Sequence, residues 1–464
     1  MLFRTFYDEK LAHASYLVGC QRTGEAIVVD PGRDVGQYVE TARKEGLNLT
    51  AAAETHIHAD YVSGVRELGV RFGAKLYLSD EGDENWKYEY ASELEHQLVK
   101  DGDHFRIGNI EFEVMHTPGH TPESISFLVT DRGSQADTPM GIFTGDFVFV
   151  GDVGRPDLLE KAAGISGTAN AGAKSMFASL KRFKSLPDYL QVWPAHGAGS
   201  ACGKALGAVP SSTVGYEKLM NWALQIEDEA EFMQELLAGQ PEPPIYFAEM
   251  KRVNKIGPAT SNQFGEIVQL SAEDLKDVLT SKQQVLDTRE APFFAKKHVP
   301  GTFNIPGNKS FTNWAGWLVD YERPLYVLTD PADLQNTVRA LRSVGIDRIV
   351  GYADAGAISD ALGTESYEEA SPTELKARLD NGEVALIDVR NQSEWDEGHI
   401  EGARHIMLGT LKNRLSEIPL DRTVVLQCQS GARSGIAISY LQSQGYNHTV
   451  NMIGGYMQWQ REIS

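Results

Sequence analysis

Thr55-His56-Ile57-His58-Ala59-Asp60 places two imidazoles and a carboxylate within five residues, a spacing suited to a metal ion. Further candidate ligands follow in Thr117-Pro118-Gly119-His120 and Thr144-Gly145-Asp146. Each of these segments follows an apolar run, residues 110–115 or 140–143, that gives way to a loop. A catalytic metal is commonly held by residues from several strand ends that converge on one face. The N-terminal half is therefore predicted to be a metalloenzyme domain.

Composition and charge limit the classes of protein that fit this chain. Its 464 residues are more than one hydrophobic core usually spans, so two to four domains are expected. A formal charge of -21 repels nucleic acid and anionic lipid, which excludes both as expected partners. The three cysteines, Cys20, Cys202 and Cys428, are too few for a disulfide framework, and no apolar run has membrane-spanning length. A cytoplasmic protein is predicted.

Short apolar strands alternate with amphipathic helices in the first half, which predicts an α/β fold. Residues 25–29 and 75–78 have the pattern of strands, and residues 35–45 that of a helix. An acid-rich helical stretch is predicted over residues 216–237, and the prolines of Gly239-Gln240-Pro241-Glu242-Pro243-Pro244 cannot continue a helix. The first domain is therefore predicted to span residues 1–245, followed by a linker at 246–261.

Beyond this point the sequence contains an internal repeat of about a hundred residues, which predicts two related α/β domains at 262–362 and 363–464. A buried parallel strand is predicted at the same place in each copy. Residues 285–290 and 298–302 of the first copy match residues 386–391 and 399–403 of the second. The predicted strand spans residues 323–328 in the first copy and 422–427 in the second.

The two copies differ where the predicted strand ends. The second continues as Cys428-Gln429-Ser430-Gly431-Ala432-Arg433-Ser434 and then a predicted helix over 435–444, whereas the first reads Thr329-Asp330-Pro331-Ala332-Asp333. Backbone N–H groups and the positive end of a helix at such a turn stabilise a thiolate and bind anions. Only the second copy is therefore predicted to contain a nucleophile, Cys428.

Together, the HxHxD, PGH and GD segments and Pro194-Ala195-His196 resemble the metallo-β-lactamase superfamily over the first half of the chain. The CQSGARS loop, with the DxR and HxxGA segments before it, resembles a rhodanese sulfurtransferase domain, and the first copy resembles a rhodanese that has lost its cysteine to Thr329. These resemblances imply an α/β multidomain protein: an N-terminal αββα metallo-β-lactamase sandwich, then two rhodanese-like α/β domains with parallel sheets, the first lacking the catalytic Cys.

The rhodanese resemblance implies that Cys428 carries a persulfide. Arg433 and the loop N–H groups would hold sulfane sulfur or sulfonate oxygens; these loop residues are Gln429, Ser430, Gly431, Ala432 and Ser434. The loop from Cys428 to Arg433 has the length of the sulfur-transferring members, since phosphatase relatives lengthen it by one residue. A structural use is expected for the first copy: packing between the two active domains, shaping a route between them, or making an oligomer interface. Trp314 and Trp317 could serve any of these.

Hydrolases of the superfamily, including glyoxalase II, usually read HxHxDH, and Tyr61 replaces the last histidine. Loss of that imidazole favours one metal over two. The chain most resembles the persulfide dioxygenase branch, which implies one Fe(II) per chain, held by His56, His120 and Asp146, with zinc as an alternative metal. Two roles stay open for His58, Asp60 and His196: they orient the ligands by hydrogen bonds, or they become ligands in a dinuclear site.

Two further residues have open roles near the predicted metal site. Arg155, in a segment that resembles the GRxD of persulfide dioxygenases, could contact a substrate carboxylate or tune Asp146, or pair only with Asp157. Cys202 follows His196 closely enough to approach the metal pocket. His13 and the remaining histidines match no ligand position, so ordinary structural roles are expected for them.

A persulfide-oxidising domain fused to a sulfur-transferring domain predicts a shared sulfur substrate. The resemblance implies oxidation of a low-molecular-weight thiol persulfide by O2 to sulfite and thiol, with Cys428 making or using thiosulfate, in sulfide detoxification. The expected partners are the persulfide, O2 and sulfite or thiosulfate, and a homo-oligomer is expected. The alternatives are a di-zinc glyoxalase II-like thioester hydrolase and a non-catalytic sulfur-relay protein.

Overall fold

The computed structural model describes residues 1–163, 167–204 and 206–463. The chain forms two compact units, Met1–Phe264 with Ser343–Gly345, and Gly265–Arg342 with Ile346–Ser464. Among the described residues, none of the helices combines the length and apolarity that crossing a membrane requires.

Two six-stranded sheets form the centre of the first unit. The first sheet contains β1 (Leu2–Asp8), β2 (His13–Cys20), β3 (Glu25–Val29), β4 (Asn48–Ala53), β5 (Lys75–Ser79) and β6 (His96–Val99), in that order. The second contains β7 (His104–Ile107), β8 (Ile110–His116), β9 (Ile125–Asp131), β10 (Gly141–Gly145), β11 (Gln191–Pro194) and β12 (Ser212–Thr213), again in sequence order along the sheet.

Helices cover the outer faces of these sheets. They are α1 (Gly36–Lys44), α2 (Val65–Phe72), α3 (Leu158–Ala163), α4 (Thr168–Lys184), α5 (Val214–Met220), α6 (Trp222–Gln225), α7 (Glu229–Leu237) and α8 (Phe247–Ile256). Strand β2 shows how the sequence produces the layers: Tyr16 and Val18 lie in the core between the sheets, whereas Leu17 lies in the core beneath α1 and α2. Alternate residues of a strand point to opposite faces, so a continuously apolar strand buries both faces. The predicted αββα sandwich is confirmed.

The helical stretch predicted over residues 216–237 consists of three helices, α5, α6 and α7. Asn221 has extended backbone, with φ -77° and ψ 118°, and its side chain accepts a hydrogen bond from Ala223 N. Asp228 is likewise extended and accepts from Glu231 N. Asparagine and aspartate favour such N-cap positions because their oxygens satisfy the free N–H groups of a helix start. Asn221 therefore ends α5 and begins α6, and Asp228 begins α7.

Residues 246–261 were predicted to be a linker, but they contain α8, which packs on the first unit. Asn254 on α8 is buried, and its Nδ2 donates to the carbonyl oxygens of His58 at 2.8 Å and Tyr61 at 2.7 Å. Its Oδ1 accepts from Ser63 N at 2.9 Å. The helix thus fixes the turn that follows the HxHxD segment. The prolines before it end α7 as expected, but they do not mark the end of the unit.

Asn254→Leu is expected to lower the free energy of unfolding of the first unit by about 2–4 kcal/mol, because two carbonyls and one N–H would lose buried partners. Urea unfolding followed by tryptophan fluorescence measures the change. Arg252→Leu, at an exposed position of the same helix, is the matched control, with an expected change below about 0.5 kcal/mol. Equal effects of the two substitutions would contradict a bracing role for Asn254.

The second unit contains two five-stranded parallel sheets of identical strand order, β13-β17-β16-β14-β15 and β18-β22-β21-β19-β20. The first sheet has β13 (Val268–Gln269), β14 (Gln284–Asp287), β15 (Phe303–Asn304), β16 (Leu325–Thr329) and β17 (Ile349–Asp354). The second has β18 (Glu368–Ala370), β19 (Val384–Asp388), β20 (Arg404–His405), β21 (Thr423–Gln427) and β22 (Thr449–Met452). The helices are α9 (Ala272–Thr280), α10 (Ala291–Lys296), α11 (Phe311–Leu318), α12 (Leu334–Ser343), α13 (Ala355–Leu362), α14 (Pro372–Asp380), α15 (Gln392–Asp396), α16 (Ala432–Ser443) and α17 (Gly455–Glu462).

The two halves of this unit pack on each other. Ser439 Oγ on α16 accepts from Asn304 N at 2.9 Å and donates to Asn304 O at 3.2 Å. Trp314 and Trp317 on α11 are buried, and a side chain added at Gly409 would overlap the Trp317 ring. Within this unit the cysteine-less half therefore supports α16, the helix that follows Cys428.

Candidate metal centre and cysteine loop

His56, His120 and Asp146 lie together in the first unit, although they are far apart in sequence. Their side chains follow β4, β8 and β10, and one ligand atom of each lies within 4.8 Å of the others. Asp146 Oδ2 is 3.8 Å from His56 Nε2 and 3.5 Å from His120 Nε2. All three residues are buried.

Hydrogen bonds at the far ring nitrogens fix the two imidazoles. His120 Nδ1 donates to the carbonyl oxygen of Arg155 at 2.9 Å. Thr55 Oγ1 donates to Asp30 Oδ2 at 2.9 Å and can accept from His56 Nδ1 at 3.0 Å. A histidine that donates through Nδ1 presents the lone pair of Nε2, which is how metal-binding histidines are usually oriented.

The donor atoms at this group fit a divalent metal ion. Among the described residues, His56 Nε2 and both carboxylate oxygens of Asp146 are buried without a hydrogen-bond partner. Buried polar atoms normally have hydrogen-bond partners. Several such atoms that point at one another and have no hydrogen-bond partner therefore indicate a site for a bound metal ion. Burial lowers the pKa of His56 and of His120, which keeps both imidazoles in the neutral form that binds a metal.

A second buried group, Asp60, His196 and Cys202, adjoins the first. Its ligand atoms also lie within 4.8 Å of one another. His196 Nδ1 donates to the carbonyl oxygen of Ala12 at 3.1 Å, and its Nε2 is 3.1 Å from Asp60 Oδ2 and 3.5 Å from Asp146 Oδ1. Burial raises the pKa of the Cys202 thiol. Cys202 therefore lies beside the metal pocket, a position that the sequence allowed but did not decide.

His58 has a different neighbour from the other histidines of the centre. Its Nε2 is 3.2 Å from Asp30 Oδ1, and its ring packs 4.6 Å from that of Tyr61. Burial opposes protonation of His58, but the Asp30 carboxylate and its hydrogen bond raise the pKa to about 9. Asp30 was not predicted as a site residue. The signal was available, since Asp30 directly follows β3 and precedes Pro31, at the strand end where the ligands of this sheet lie.

Two other buried residues near the centre were also missed by the sequence. His13, expected to be an ordinary structural histidine, has its ring 3.9 Å from Tyr61 and 5.7 Å from His196. Glu123 Oε1 accepts from the N–H of Ile57 at 2.8 Å and so holds the backbone between His56 and His58. Neither lies in a recognisable motif, and only the folded arrangement brings them to the centre.

The structure does not support a substrate contact for the side chain of Arg155. The guanidinium is buried, and its Nε and Nη2 each donate to Asp157 at 2.7 Å, while Nη1 donates to the carbonyl oxygen of Pro241 at 2.7 Å. A buried guanidinium needs such partners, and a carboxylate two residues away supplies the two-pronged pairing. Arg155 acts on the centre through its carbonyl group, which orients His120.

Gly154→Ala is expected to weaken metal binding about 10- to 100-fold, because a Cβ there would lie 1.8 Å from the carbonyl oxygen of Asp146 and force that ligand to move. Metal retained after dialysis against a chelator measures the loss. Gly151→Ala is the control: its Cβ meets nothing within 4 Å, although the residue has φ +77°. Unchanged metal retention in Gly154→Ala would contradict the assigned position of Asp146.

Cys428 lies in the second unit between β21 and α16. The helix begins at Ala432, not at residue 435 as predicted, so Arg433 and Ser434 belong to its first turn. Gly431, with φ +95°, turns the chain into the helix, and its N–H donates to Cys428 Sγ at 3.2 Å. Ser434 Oγ also donates to Sγ, at 3.7 Å. Of the loop N–H groups predicted to hold the sulfur, that of Gly431 donates to Cys428 Sγ.

The cations beside this loop are already paired. Arg433 Nη1 and Nη2 donate to the two carboxylate oxygens of Glu394 at 2.6 and 2.7 Å. Arg390 pairs with Asp388 at 2.7 Å, and its Nη1 donates to Gln429 Oε1 at 3.4 Å. The side chains of Ser430 and Ala432 are exposed. Glu394, which sequence reasoning missed, thus holds Arg433 beside the loop.

In the first half of this unit, the position of the cysteine is filled differently. Thr329 ends β16, is buried, and its Oγ1 lies 3.4 Å from Thr337 Oγ1. Its hydroxyl therefore faces the neighbouring helix α12.

Two family models match separate parts of the chain. Residues 9–196 match the Metallo-beta-lactamase superfamily, and residues 371–462 match the Rhodanese-like domain. The crystal structure of a metallo-beta-lactamase from Staphylococcus aureus subsp. aureus COL is 43% identical, with a TM-score of 0.69, and the match covers 76% of this chain and 98% of that one. The chain therefore belongs to the metallo-beta-lactamase superfamily and has a C-terminal rhodanese-like domain.

Two curated proteins are similar to parts of the chain. A sulfurtransferase from Allochromatium vinosum is 42% identical over 94 residues, which cover 20% of this chain and 88% of that protein. A hydroxyacylglutathione hydrolase from Tolumonas auensis is 34% identical over 188 residues, which cover 39% of this chain and 61% of that protein.

Proposed function

We propose that this protein is a non-haem iron persulfide dioxygenase that is coupled to rhodanese sulfur transfer at Cys428 and acts in sulfide detoxification. The observation that carries the proposal is a buried group of two histidines and one carboxylate on the same chain as a cysteine loop of rhodanese type. Two histidines and one carboxylate with open positions are the ligand set of non-haem Fe(II) oxygenases. Tyr61, in place of a histidine, supports one catalytic metal.

His56, His120 and Asp146 would hold an Fe(II) ion, which would supply the redox chemistry for oxidation of the persulfide sulfur by dioxygen. The chain's own residues fix the ligands: the Arg155 carbonyl orients His120, and Thr55 orients His56. The pocket is buried, which excludes bulk water from the reacting sulfur. The proposed balance is one persulfide, O2 and water giving one thiol, one sulfite and two protons.

The second step is sulfur transfer at Cys428. The thiolate attacks the outer sulfur of a second persulfide, the S–S bond breaks, and the thiol leaves with a proton. Sulfite then attacks the outer sulfur of the Cys428 persulfide, which yields thiosulfate and restores the thiolate. The N–H of Gly431 and the hydroxyl of Ser434 stabilise the charge on Cys428 Sγ in this cycle. The same residues can run the transfer in reverse.

Fusion of the two domains favours this pairing of reactions, because tethering raises the effective concentration of sulfite and persulfide passed between them. The proposed small-molecule partners are thus a thiol persulfide, O2 and sulfite or thiosulfate. The half without cysteine, in which Thr329 ends the matching strand, is proposed to be a rhodanese-like domain that supports the active one.

The test is anaerobic purification, metal analysis and O2 consumption after addition of a low-molecular-weight persulfide such as glutathione persulfide. About one iron per chain is expected, with persulfide-dependent O2 uptake and formation of sulfite, which transfer at Cys428 converts to thiosulfate. Two zinc ions per chain without O2 uptake would overturn the dioxygenase proposal.

The second candidate function is hydrolysis of a thioester at a di-zinc site. The similarity to a hydroxyacylglutathione hydrolase, at 34% identity, favours it. Such a centre needs further ligands around the second zinc without an imidazole at position 61. Hydrolysis of S-lactoylglutathione by the zinc-loaded protein, compared with O2 uptake by the iron-loaded protein, distinguishes the two candidates.

A further inference from the structure

We propose that Ile453 and Met457 form an apolar shelf beside Cys428 that binds the carbon part of the thiol persulfide from which Cys428 takes sulfur. The proposal rests on the proposed transfer at Cys428 and adds the site that selects the donor. The donor class is a persulfide whose two sulfur atoms are attached to apolar methylene groups. In the step at the shelf, the Cys428 thiolate attacks the outer sulfur, the S–S bond breaks, and the thiol leaves with the proton of the persulfide.

The pairing of strands β21 and β22 brings Ile453 next to the cysteine. Leu426 lies opposite Asn451 in these parallel strands. The same register, continued by two residues, places Ile453 opposite Cys428, and neighbouring strands lie about 4.8 Å apart. A Cβ at Gly455 would lie 2.1 Å from Cys428 O, so the chain that follows Ile453 passes directly against the cysteine.

Met457 is held against the same loop by the beginning of α17. Tyr456 N donates to Cys428 O at 2.7 Å, and Met457 N donates to Gln429 O at 3.2 Å. The side chains of Ile453 and Met457 are nevertheless 44% and 40% exposed, whereas Cys428 is only 1% exposed. Exposed apolar residues that stand singly are ordinary, but two that flank a buried reactive sulfur indicate a binding surface.

The half without cysteine has a different residue at the matching position. Asp354 lies opposite Thr329 there, and its Oδ1 accepts from Ala357 N at 2.8 Å, which caps α13. Ile453 takes the place of this aspartate beside the cysteine, and among the described residues no side chain caps the start of α17. An apolar residue in place of a capping residue lowers helix stability. Ile453 is therefore better explained by binding than by folding.

The charged groups around the loop leave recognition of the donor to apolar contact. Arg433 is paired with Glu394, and Arg390 is paired with Asp388, so both guanidinium groups already have a carboxylate partner. A thiol persulfide differs from sulfite by its carbon part, which the shelf can contact. Sulfite has no carbon part, so its attack on the Cys428 persulfide does not depend on the shelf.

The experiment measures sulfur transfer from ethyl, propyl and butyl persulfide to sulfite by the reduced full-length protein without O2. Thiosulfate formation is the readout, after subtraction of the rate without protein. Donor and acceptor react in separate half-reactions, so kcat/KM for the donor reports the step at the shelf, and kcat/KM for sulfite reports the step after it. In the wild-type protein, kcat/KM for the donor is expected to rise about two- to fourfold with each added methylene.

The double variant with Ile453→Ser and Met457→Ser is expected to lose this dependence on chain length and to lower kcat/KM for butyl persulfide at least about fivefold. Its kcat/KM for sulfite should stay within about twofold of the wild-type value. Leu420→Ser is the matched control, because Leu420 is 70% exposed but precedes β21, at the opposite end of that strand from Cys428. The control should keep both values and the dependence on chain length.

Met457→Ser alone keeps the test decisive if the double variant does not fold, and it should lower kcat/KM for butyl persulfide about two- to threefold. A chain-length dependence that persists in the double variant, or an equal loss of kcat/KM for sulfite, would overturn the shelf. Wild-type thiosulfate formation that does not depend on chain length would also refute the shelf, but not the transfer. Absence of thiosulfate from every donor would instead refute the proposed transfer at Cys428.

Discussion

Cys428→Ser is expected to lower sulfur transfer from a thiol persulfide to sulfite by at least about a thousandfold, because a serine hydroxyl is a far weaker nucleophile than a thiolate. Persulfide-dependent O2 uptake is expected to stay at the wild-type rate, since the proposed metal ligands belong to the other unit. Thiosulfate formation and O2 consumption, measured on the same preparations, separate the two activities. In the variant, sulfite should accumulate in place of thiosulfate.

Cys20→Ser is the control for this substitution, because Cys20 is a buried residue of the core between the first two sheets. It is expected to leave both activities unchanged. Loss of O2 uptake together with sulfur transfer in Cys428→Ser, with the fold intact by circular dichroism, would contradict two separable sites. A single site using Cys428 would then have to account for both reactions.

The metal centre could be predicted from the sequence because each ligand stands where an apolar run gives way to a loop. His56, His120 and Asp146 follow β4, β8 and β10, and the closely packed sheets bring these strand ends together. The internal repeat likewise predicted two similar sheets, which have the same strand order. The period was enough for the repeat, whereas the choice of these three ligands over His58, Asp60 and His196 came from the resemblance to persulfide dioxygenases.

The parts that sequence reasoning missed depend on contacts between distant segments. Asn254 holds the turn after His58 from 196 positions away, and α8 therefore belongs to the first unit although prolines precede it. From the sequence, Arg155 could contact a substrate or pair with Asp157. The buried hydrogen bonds between Arg155 and Asp157 in the structure decide for the second role. Glu394 is distinguished only by its bonds to Arg433.

His120→Ala is expected to lower iron affinity by more than about a hundredfold, since removal of a ligand costs more than the 10- to 100-fold typical of a residue that only orients one. His120 presents Nε2 to the centre, 3.5 Å from Asp146 Oδ2, while Nδ1 is fixed by the Arg155 carbonyl. Persulfide-dependent O2 uptake should fall with the iron content, and sulfur transfer at Cys428 should remain. Iron analysis, O2 consumption and thiosulfate assays on one preparation measure all three quantities.

His116→Ala is the matched control, because His116 ends β8 four residues earlier and its Nε2 bonds to Pro122 O instead of facing the centre. It should retain iron and O2 uptake. Full persulfide oxidation by His120→Ala would instead make the metal group dispensable and favour a non-catalytic sulfur-relay protein centred on Cys428. The two histidines differ in what their ring nitrogens face, so opposite outcomes for them would test the geometry of the centre and not merely the presence of an imidazole.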